Sequence, residues 1–263
     1  MTPNDSVTPK QSLCEVDERA AQESLRQLLR TQGADQSYIE SQVQQLFDDG
    51  GFRSRFNYFM EFFDAAAKRH LLVSGTSIGT EMILAYEYGF ERVTGTEVAP
   101  GLVDICKMRI ADFPTAKAVY CQDDTLPFED GEFSSVISGH IIEHTRSPFD
   151  YLREHMRVLQ AGGYMFLEFP NRYHRTELHT NVPSLEWLPA LLRKIIIVVL
   201  CSRLMPLSAQ IKHRYNAILT TLQPVSRWQV WWWLKRSPGR ARIEHYTVPA
   251  PGILRLIVRK LAA

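Results

Sequence analysis

The chain has 263 residues with a formal net charge of +1; 45% of them are hydrophobic and 22% are charged. This composition predicts a domain with a substantial core and excludes a collagen-like, low-complexity or largely disordered chain. The four cysteines lie far apart, which predicts a chain without a disulfide scaffold. The first segment is polar, and no uncharged stretch reaches the ~18–20 residues that span a bilayer, so we expect a cytoplasmic protein.

Residues 1–67 are predicted to form a disordered tail followed by a helical extension. Apolar residues recur at helical spacing through residues 13–49, and Gly33–Asp35 breaks this segment into two helices. A third helix is expected to carry the aromatic run from Phe56 to Phe63. Nothing in this extension has the pattern of a strand.

From residue 68 onward, short apolar strands alternate with helices. The predicted strands are His70–Val73, Arg92–Gly95 extended to Glu97, Ala116–Tyr120, Phe133–Gly139 and Tyr164–Phe169, the last after a turn at Gly162–Gly163. This alternation is typical of βαβ units and predicts an α/β fold: a Rossmann-like, seven-stranded, mostly parallel sheet with helices on both faces. Such sheets bind ligands at the carboxyl ends of their strands.

The basic end of the chain differs from the rest. Residues 172–240 are predicted to be a helical insertion, because Arg242–Val248 and Ile253–Arg259 suit a closing β-hairpin. After residue 171 the chain has 15 Lys and Arg against three acidic residues, a balance of +12, and it holds all five Trp.

Two roles for the Trp residues of this insertion stay open. Indoles beside cations suit peripheral contact with an anionic membrane through residues 190–240, on the inner face of that membrane. The alternative is a helical cap that buries its Trp side chains against the sheet. RNA binding is disfavoured because no RNA-binding module is recognisable.

The turn after the first predicted strand, Val73–Gly79, has small residues that let a backbone approach a ligand, and the next helix offers free N–H groups. Eighteen residues beyond Gly79, Glu97 ends the second strand, where a carboxylate can accept hydrogen bonds from ribose hydroxyls. The glycine spacing alone also fits a tight turn without a ligand. With Glu97 at the strand end, we expect a nucleoside site.

A series of motifs then follows in order: Gln122-Asp123-Asp124-Thr125-Leu126-Pro127-Phe128, Asp130-Gly131-Glu132-Phe133, His140-Ile141-Ile142-Glu143-His144, Arg157-Val158-Leu159, Gly162-Gly163 and Phe169-Pro170-Asn171. Over residues 68–171 this series resembles the class I S-adenosylmethionine-dependent methyltransferases of the type 11 group. The resemblance implies a methyltransferase domain at 68–263 with S-adenosyl-L-methionine as its cofactor. It also implies a small-molecule, lipid-linked or glycan-linked acceptor, which we expect to be methylated at oxygen.

The resemblance further implies which residues bind the cofactor. The loop would surround its methionine and ribose parts, Glu97 would hold the ribose and Val98 would contact the adenine. One of two aspartates would reach the adenine amino group, and the end of the fourth strand would lie near the transferable methyl. The complete set is Gly75, Thr76, Ser77, Gly79, Glu97, Val98, Asp123, Asp124, Gly139 and His140.

Two residues depart from the family pattern, and they keep alternatives open. Val73 replaces an acidic residue and Ser77 replaces a glycine, so a non-catalytic nucleotide-binding relative is one alternative. Gly75–Gly79 also spells the nucleophile elbow of α/β-hydrolases, with Ser77 as nucleophile. That fold needs strands before the elbow and an oxyanion segment, neither of which the first 70 residues suggest.

Methyl transfer needs alignment of the reacting groups, and a base only where the acceptor loses a proton. His140, His144 and His174 are the candidate bases, because imidazole titrates near neutrality. His140 is preferred since it follows a strand end, whereas His144 has the alternative role of anchoring its turn. No metal-ligating spacing is present, and we expect no metal.

Overall fold

The structure, a computed structural model, describes residues 18–122, 125–175, 188–201, 222–237 and 239–262. Its strands are β1 (Leu71–Ser74), β2 (Val93–Glu97), β3 (Ala116–Tyr120), β4 (Phe133–Gly139), β5 (Leu159–Pro170), β6 (Ala241–Thr247) and β7 (Ile253–Lys260). They form one mostly parallel sheet in the order β3-β2-β1-β4-β5-β7-β6, which confirms the predicted fold class.

The described residues form eight α-helices, and the first two lie on either side of the predicted break at Gly33–Asp35. They are α1 (Glu18–Thr31), α2 (Gln36–Phe47), α3 (Gly50–Phe59), α4 (Thr80–Glu87), α5 (Pro100–Arg109), α6 (Pro148–Val158), α7 (Ala190–Cys201) and α8 (Arg227–Leu234). The prediction for the third helix was wrong at its end, because α3 stops at Phe59, so that Phe62 and Phe63 lie beyond the helix. Among the residues described, no helix combines the length and apolarity needed to cross a membrane.

The chain divides into two compact units: Met1–Gln122 with Phe133–Val136, and Asp123–Glu132 with Ile137–Ala263. In the first unit β2 pairs in parallel with both β1 and β3. Every residue of β1 and β2 is buried, as expected of parallel strands that are covered on both faces. The carboxyl end of β2 is Glu97.

The helical extension packs on the segment that follows β1. Arg109 in α5 is buried; its guanidinium donates to the Ile78 carbonyl (2.9 Å) and the Thr80 hydroxyl (2.8 Å) and pairs with Glu18 (2.8 Å). Apolar residues from both sides complete this contact: Ala21, Leu25, Ile39, Val43, Ile78 and Ile105. The first helices therefore hold the turn between β1 and α4 in place.

In the second unit β7 pairs antiparallel with both β5 and β6, and β6 is the edge strand on this side of the sheet. The predicted turn at Gly162–Gly163 was wrong, because both glycines lie inside β5. Gly162 has a φ of +81°, and such a glycine can bend a strand without ending it. Of the predicted insertion, α7 and α8 are described, while residues 176–187, 202–221 and 238 lie outside the described ranges.

Candidate functional site

The loop between β1 and α4 has a left-handed backbone at alternate residues. Gly75, Ser77 and Gly79 have φ values of +71°, +50° and +88°. The N–H groups of Gly75 and Thr76 both donate to the carbonyl of Thr96 in β2, which holds the loop over the end of that strand. Ser77 therefore occupies a conformation that glycine adopts without strain, and this explains physically why a glycine is expected at its position.

Glu97 turns its carboxylate towards this loop. Its Oε2 atom accepts the N–H of Ser77 at 2.9 Å, and its Oε1 atom accepts the N–H groups of Val98 and Ala99 at 2.8 and 3.0 Å. The Glu97 residue is buried, with 8% of its surface exposed. The structure thus brings together the two features that the sequence placed twenty residues apart.

The hydrogen bonds of Glu97 limit what else it can bind. A carboxylate offers about four lone-pair positions, and three of those on Glu97 are occupied by backbone N–H groups. One position remains on Oε2. The carboxylate can therefore accept one further hydrogen bond from a ligand without giving up those it makes.

Neighbouring residues shape the same end of the first unit. A Cβ atom on Gly95 would lie 2.5 Å from the Met82 sulfur, so only glycine fits there without movement. Val73 is fully buried in β1, whereas Val98 is 63% exposed just beyond Glu97. The predicted adenine partners, Asp123 and Asp124, lie outside the described residues.

Residues 72–167 match the family model of the methyltransferase domain, type 11. Residues 72–167 therefore form a methyltransferase domain of the type 11 family. Its cofactor is S-adenosyl-L-methionine, which supplies the methyl group when bound. The buried carboxylate of Glu97, with one acceptor position beside the glycine-containing loop, fits the ribose of that cofactor.

Solved methyltransferases share the fold of this domain. A SAM-dependent methyltransferase from Aquifex aeolicus is 13% identical with a TM-score of 0.56, covering 83% of this chain and 96% of its own. Geranyl diphosphate C-methyltransferase from Streptomyces coelicolor A3(2) is 13% identical with a TM-score of 0.55, covering 80% and 77%.

A curated protein is similar in sequence to part of this chain. It is an uncharacterized 37.1 kDa protein in transposon TN4556 of Streptomyces fradiae, 28% identical over 97 residues. The match covers 37% of this chain and 28% of the length of that relative.

In the second unit of the methyltransferase, His140 lies within a buried charge cluster. His140 follows β4 with a φ of +57° and donates its backbone N–H to the carbonyl of Glu168 in β5 at 2.8 Å. Its ring nitrogens lie 3.1 Å from Glu168 Oε1 and 3.5 Å from Glu143 Oε1. The second Glu168 oxygen accepts from the guanidinium of Arg255 in β7. The four side chains of Glu143, His140, Glu168 and Arg255 are called the buried charge cluster below.

The two carboxylates of the cluster determine the charge of the imidazole. Burial alone would lower the pKa of His140, but hydrogen bonding and attraction to Glu143 and Glu168 outweigh it and raise the pKa to about 9. Glu143 is itself almost completely buried, and its Oε1 atom makes a long contact of 3.5 Å with the Nδ1 atom of His140. His140 is therefore protonated at neutral pH and is a strong base once it loses that proton.

Glu168 and Arg255 were missed by the sequence analysis. They are direct partners in the pairing of β5 with β7, and both are buried. Each is a single charged residue within an otherwise apolar stretch of strand, one acidic and one basic. That pattern is the signal that could have revealed a buried pair.

The other candidate bases lie in different surroundings. His144 belongs to a short 3₁₀ helix, and its Nε2 atom is 4.0 Å from Glu143 Oε1. His174 lies in the turn after β5, where its ring packs against Gly252 of the β6–β7 turn. As for the hydrolase alternative with Ser77 as nucleophile, the described residues before β1 form helices and no strands.

Proposed function

We propose that this protein transfers the methyl group of S-adenosylmethionine to an oxygen of a small-molecule, lipid-linked or glycan-linked acceptor, at the surface of an anionic membrane. The observation that carries the cofactor assignment is the buried carboxylate of Glu97 over the Gly75–Gly79 loop. In this proposal the loop and Val98 bind the cofactor together with Glu97. Gly139 and His140 contact the reacting groups from the end of β4.

His140 supports methylation at oxygen. An acceptor hydroxyl must lose its proton as the methyl group arrives, and in this proposal the unprotonated imidazole of His140, which becomes the major form only above about pH 9, is the recipient. The flanking carboxylates, Glu143 and Glu168, stabilise the imidazolium that results. The fold also serves methylation at carbon, as the name of the geranyl diphosphate enzyme states, so the basic imidazole is what favours oxygen here.

The helix α7 supports contact with a membrane. Leu191, Ile195 and Val198 recur at the i, i+4 and i+7 positions of one helix face and are 71%, 51% and 68% exposed. Their neighbours Leu192 and Val199 are 47% and 51% exposed. A continuous apolar face of this size is typical of a surface that binds a partner or a lipid.

The helix α8 adds the side chains expected at lipid headgroups. Trp231 and Trp232 are 47% and 46% exposed. The Lys235 ammonium lies 5.5 Å from the Trp231 ring, and the Arg236 guanidinium lies 3.3 Å from the Trp232 ring. Indoles sit at headgroup depth and cations attract anionic lipid, with about 1 kcal/mol for each cation near the surface.

Calorimetric titration with S-adenosylmethionine and S-adenosylhomocysteine tests the cofactor site. We expect Glu97→Ala to weaken both ligands tenfold or more, and Glu97→Gln to weaken them less because it keeps an acceptor oxygen. Glu91→Gln, two residues before the start of the same strand, is the matched control. No binding by the wild type at millimolar ligand would overturn the proposed activity.

Sedimentation with vesicles tests the membrane contact. We expect the wild type to bind vesicles of phosphatidylglycerol and phosphatidylcholine more tightly than vesicles of phosphatidylcholine alone. The double variant Trp231→Ala/Trp232→Ala and the variant Val198→Ser should bind less. Met108→Ala removes an equally exposed apolar side chain from the first unit and should have no effect. Equal binding by all variants would reject the membrane surface.

A further inference from the structure

A cleft of about 230 Å³ opens on the second unit. Its lining includes Asn171, Tyr173, Arg227, Trp228, Tyr246 and Val248. Asn171 directly follows the carboxyl end of β5, and Arg227 is the first residue of α8. Strand carboxyl ends are where sheets of this kind bind their ligands, so the position of the cleft suits a binding site.

Arg227 gives the cleft a positive charge that the described residues do not neutralise. Its guanidinium lies 4.0 Å from the centre of the Tyr246 ring and 5.3 Å from that of Trp228. Within the described part of the chain no carboxylate pairs with it, whereas Arg255 and Arg242 in the same unit each pair with a glutamate. A guanidinium that stacks on an aromatic ring can still donate hydrogen bonds from the N–H groups at its edge. Two oxygens of a phosphate can accept from a pair of these N–H groups at once.

The walls of the cleft are apolar and exposed. Trp228 is 63% exposed, Tyr173 is 59% exposed, Val248 is 57% exposed and Tyr246 is 50% exposed. Large apolar side chains that face water together indicate a surface that a ligand covers. Arg227 therefore lies beside aromatic side chains in the cleft, and this combination suits a ligand with an anionic part and an apolar part.

We propose that this cleft binds a phosphate-bearing amphiphile, with the phosphate on the edge of Arg227 and the apolar part against Tyr173 and Trp228. The balance of +12 after residue 171 favours an anionic ligand over a neutral one. If the proposed methyl transfer holds, this ligand is the methyl acceptor. The phosphate belongs either to a free phosphate ester or to a lipid headgroup in a bilayer.

The test measures quenching of tryptophan fluorescence without S-adenosylmethionine. The probes are farnesyl phosphate below its micelle concentration, farnesol, inorganic phosphate and phosphatidylglycerol vesicles. We expect Arg227→Gln to weaken farnesyl phosphate binding tenfold or more, and Trp228→Phe to weaken it as well. Arg259→Gln is the matched control, because Arg259 also stacks on a tyrosine, Tyr164, but lies outside the cleft.

The probes also separate the possible sources of the phosphate. Binding of farnesyl phosphate that depends on Arg227 supports a free phosphate ester, and vesicle binding alone that depends on Arg227 supports a bilayer headgroup. Farnesol or inorganic phosphate binding as tightly as farnesyl phosphate would overturn the proposal, as would an unaltered Arg227→Gln variant. S-adenosylmethionine is titrated separately, so loss of the cofactor site and loss of the cleft ligand are distinguishable.

Discussion

Replacing Glu143 with Gln should lower the pKa of His140. The Nδ1 atom of His140 lies 3.5 Å from Glu143 Oε1, and the pKa of the imidazole is about 9 because two carboxylates outweigh its burial. The substitution removes one of the two negative charges and nearly preserves the shape of the side chain. Glu168 remains in place at 3.1 Å.

The expected size of this effect follows from the distance. At 3.5 Å and an effective dielectric constant of about 20, two unit charges attract each other by about 5 kcal/mol, and about 1.4 kcal/mol corresponds to one pH unit. The His140 side chain is 31% exposed, so water weakens this attraction. We therefore expect the pKa of His140 to fall by about one to two pH units.

Histidine nitrogen NMR, recorded between about pH 5 and 10, measures this pKa without an acceptor. The His140→Gln variant identifies the resonance among those of the eight histidines. Glu244→Gln should leave the midpoint unchanged, because Glu244 pairs with Arg242 and not with a histidine of the cluster. A wild-type midpoint near the ordinary 6.5, or an unchanged midpoint in Glu143→Gln, would refute the electrostatic argument.

Three further predictions concern stability. Ser77→Gly should raise the free energy of unfolding by up to about 1 kcal/mol, because it relieves a φ of +50°. Gly95→Ala should lower it by about 1–3 kcal/mol, because the new Cβ would lie 2.5 Å from the Met82 sulfur. The free energy of unfolding should also peak near pH 6.5. Burial lowers the pKa of His155 to about 4, so its contribution is lost as the pH falls from about 6.5 through 4. The contribution of His140 is lost as the pH rises from about 6.5 through 9.

Urea titrations at a series of pH values measure all three. Ser37→Gly is the matched control for Ser77→Gly, because it makes the same change at an exposed position in the helix α2. It should destabilise the protein by about 1 kcal/mol. A destabilised Ser77→Gly variant, or a neutral Gly95→Ala variant, would contradict the loop geometry. His140→Gln should abolish the loss of unfolding free energy above about pH 6.5. If this loss persists in the variant, another titrating group causes it.

Local sequence patterns determined the fold and half of the candidate site. The alternation of apolar strands with helices depends on period and turn chemistry within a few residues, and it predicted β3 and β4 at their observed limits. The Gly75–Gly79 loop and Glu97 were found for the same reason, because each lies at the end of a strand that the pattern defines. The sequence also showed a serine at position 77, where the family pattern has a glycine, but it did not show the left-handed backbone of Ser77.

Tertiary structure alone decided the chemistry of the second unit. Glu168 and Arg255 are 87 residues apart and meet only through the register of β5 with β7, which no local pattern encodes. Their pairing places one carboxylate against His140, and this carboxylate acts together with that of Glu143 to raise the pKa of the imidazole to about 9. The stacking of Arg227 on Tyr246 arises in the same way, from a helix and a strand brought together by folding. Charge and burial act through space, so residue types and spacing could name candidates but could not assign their protonation or partners.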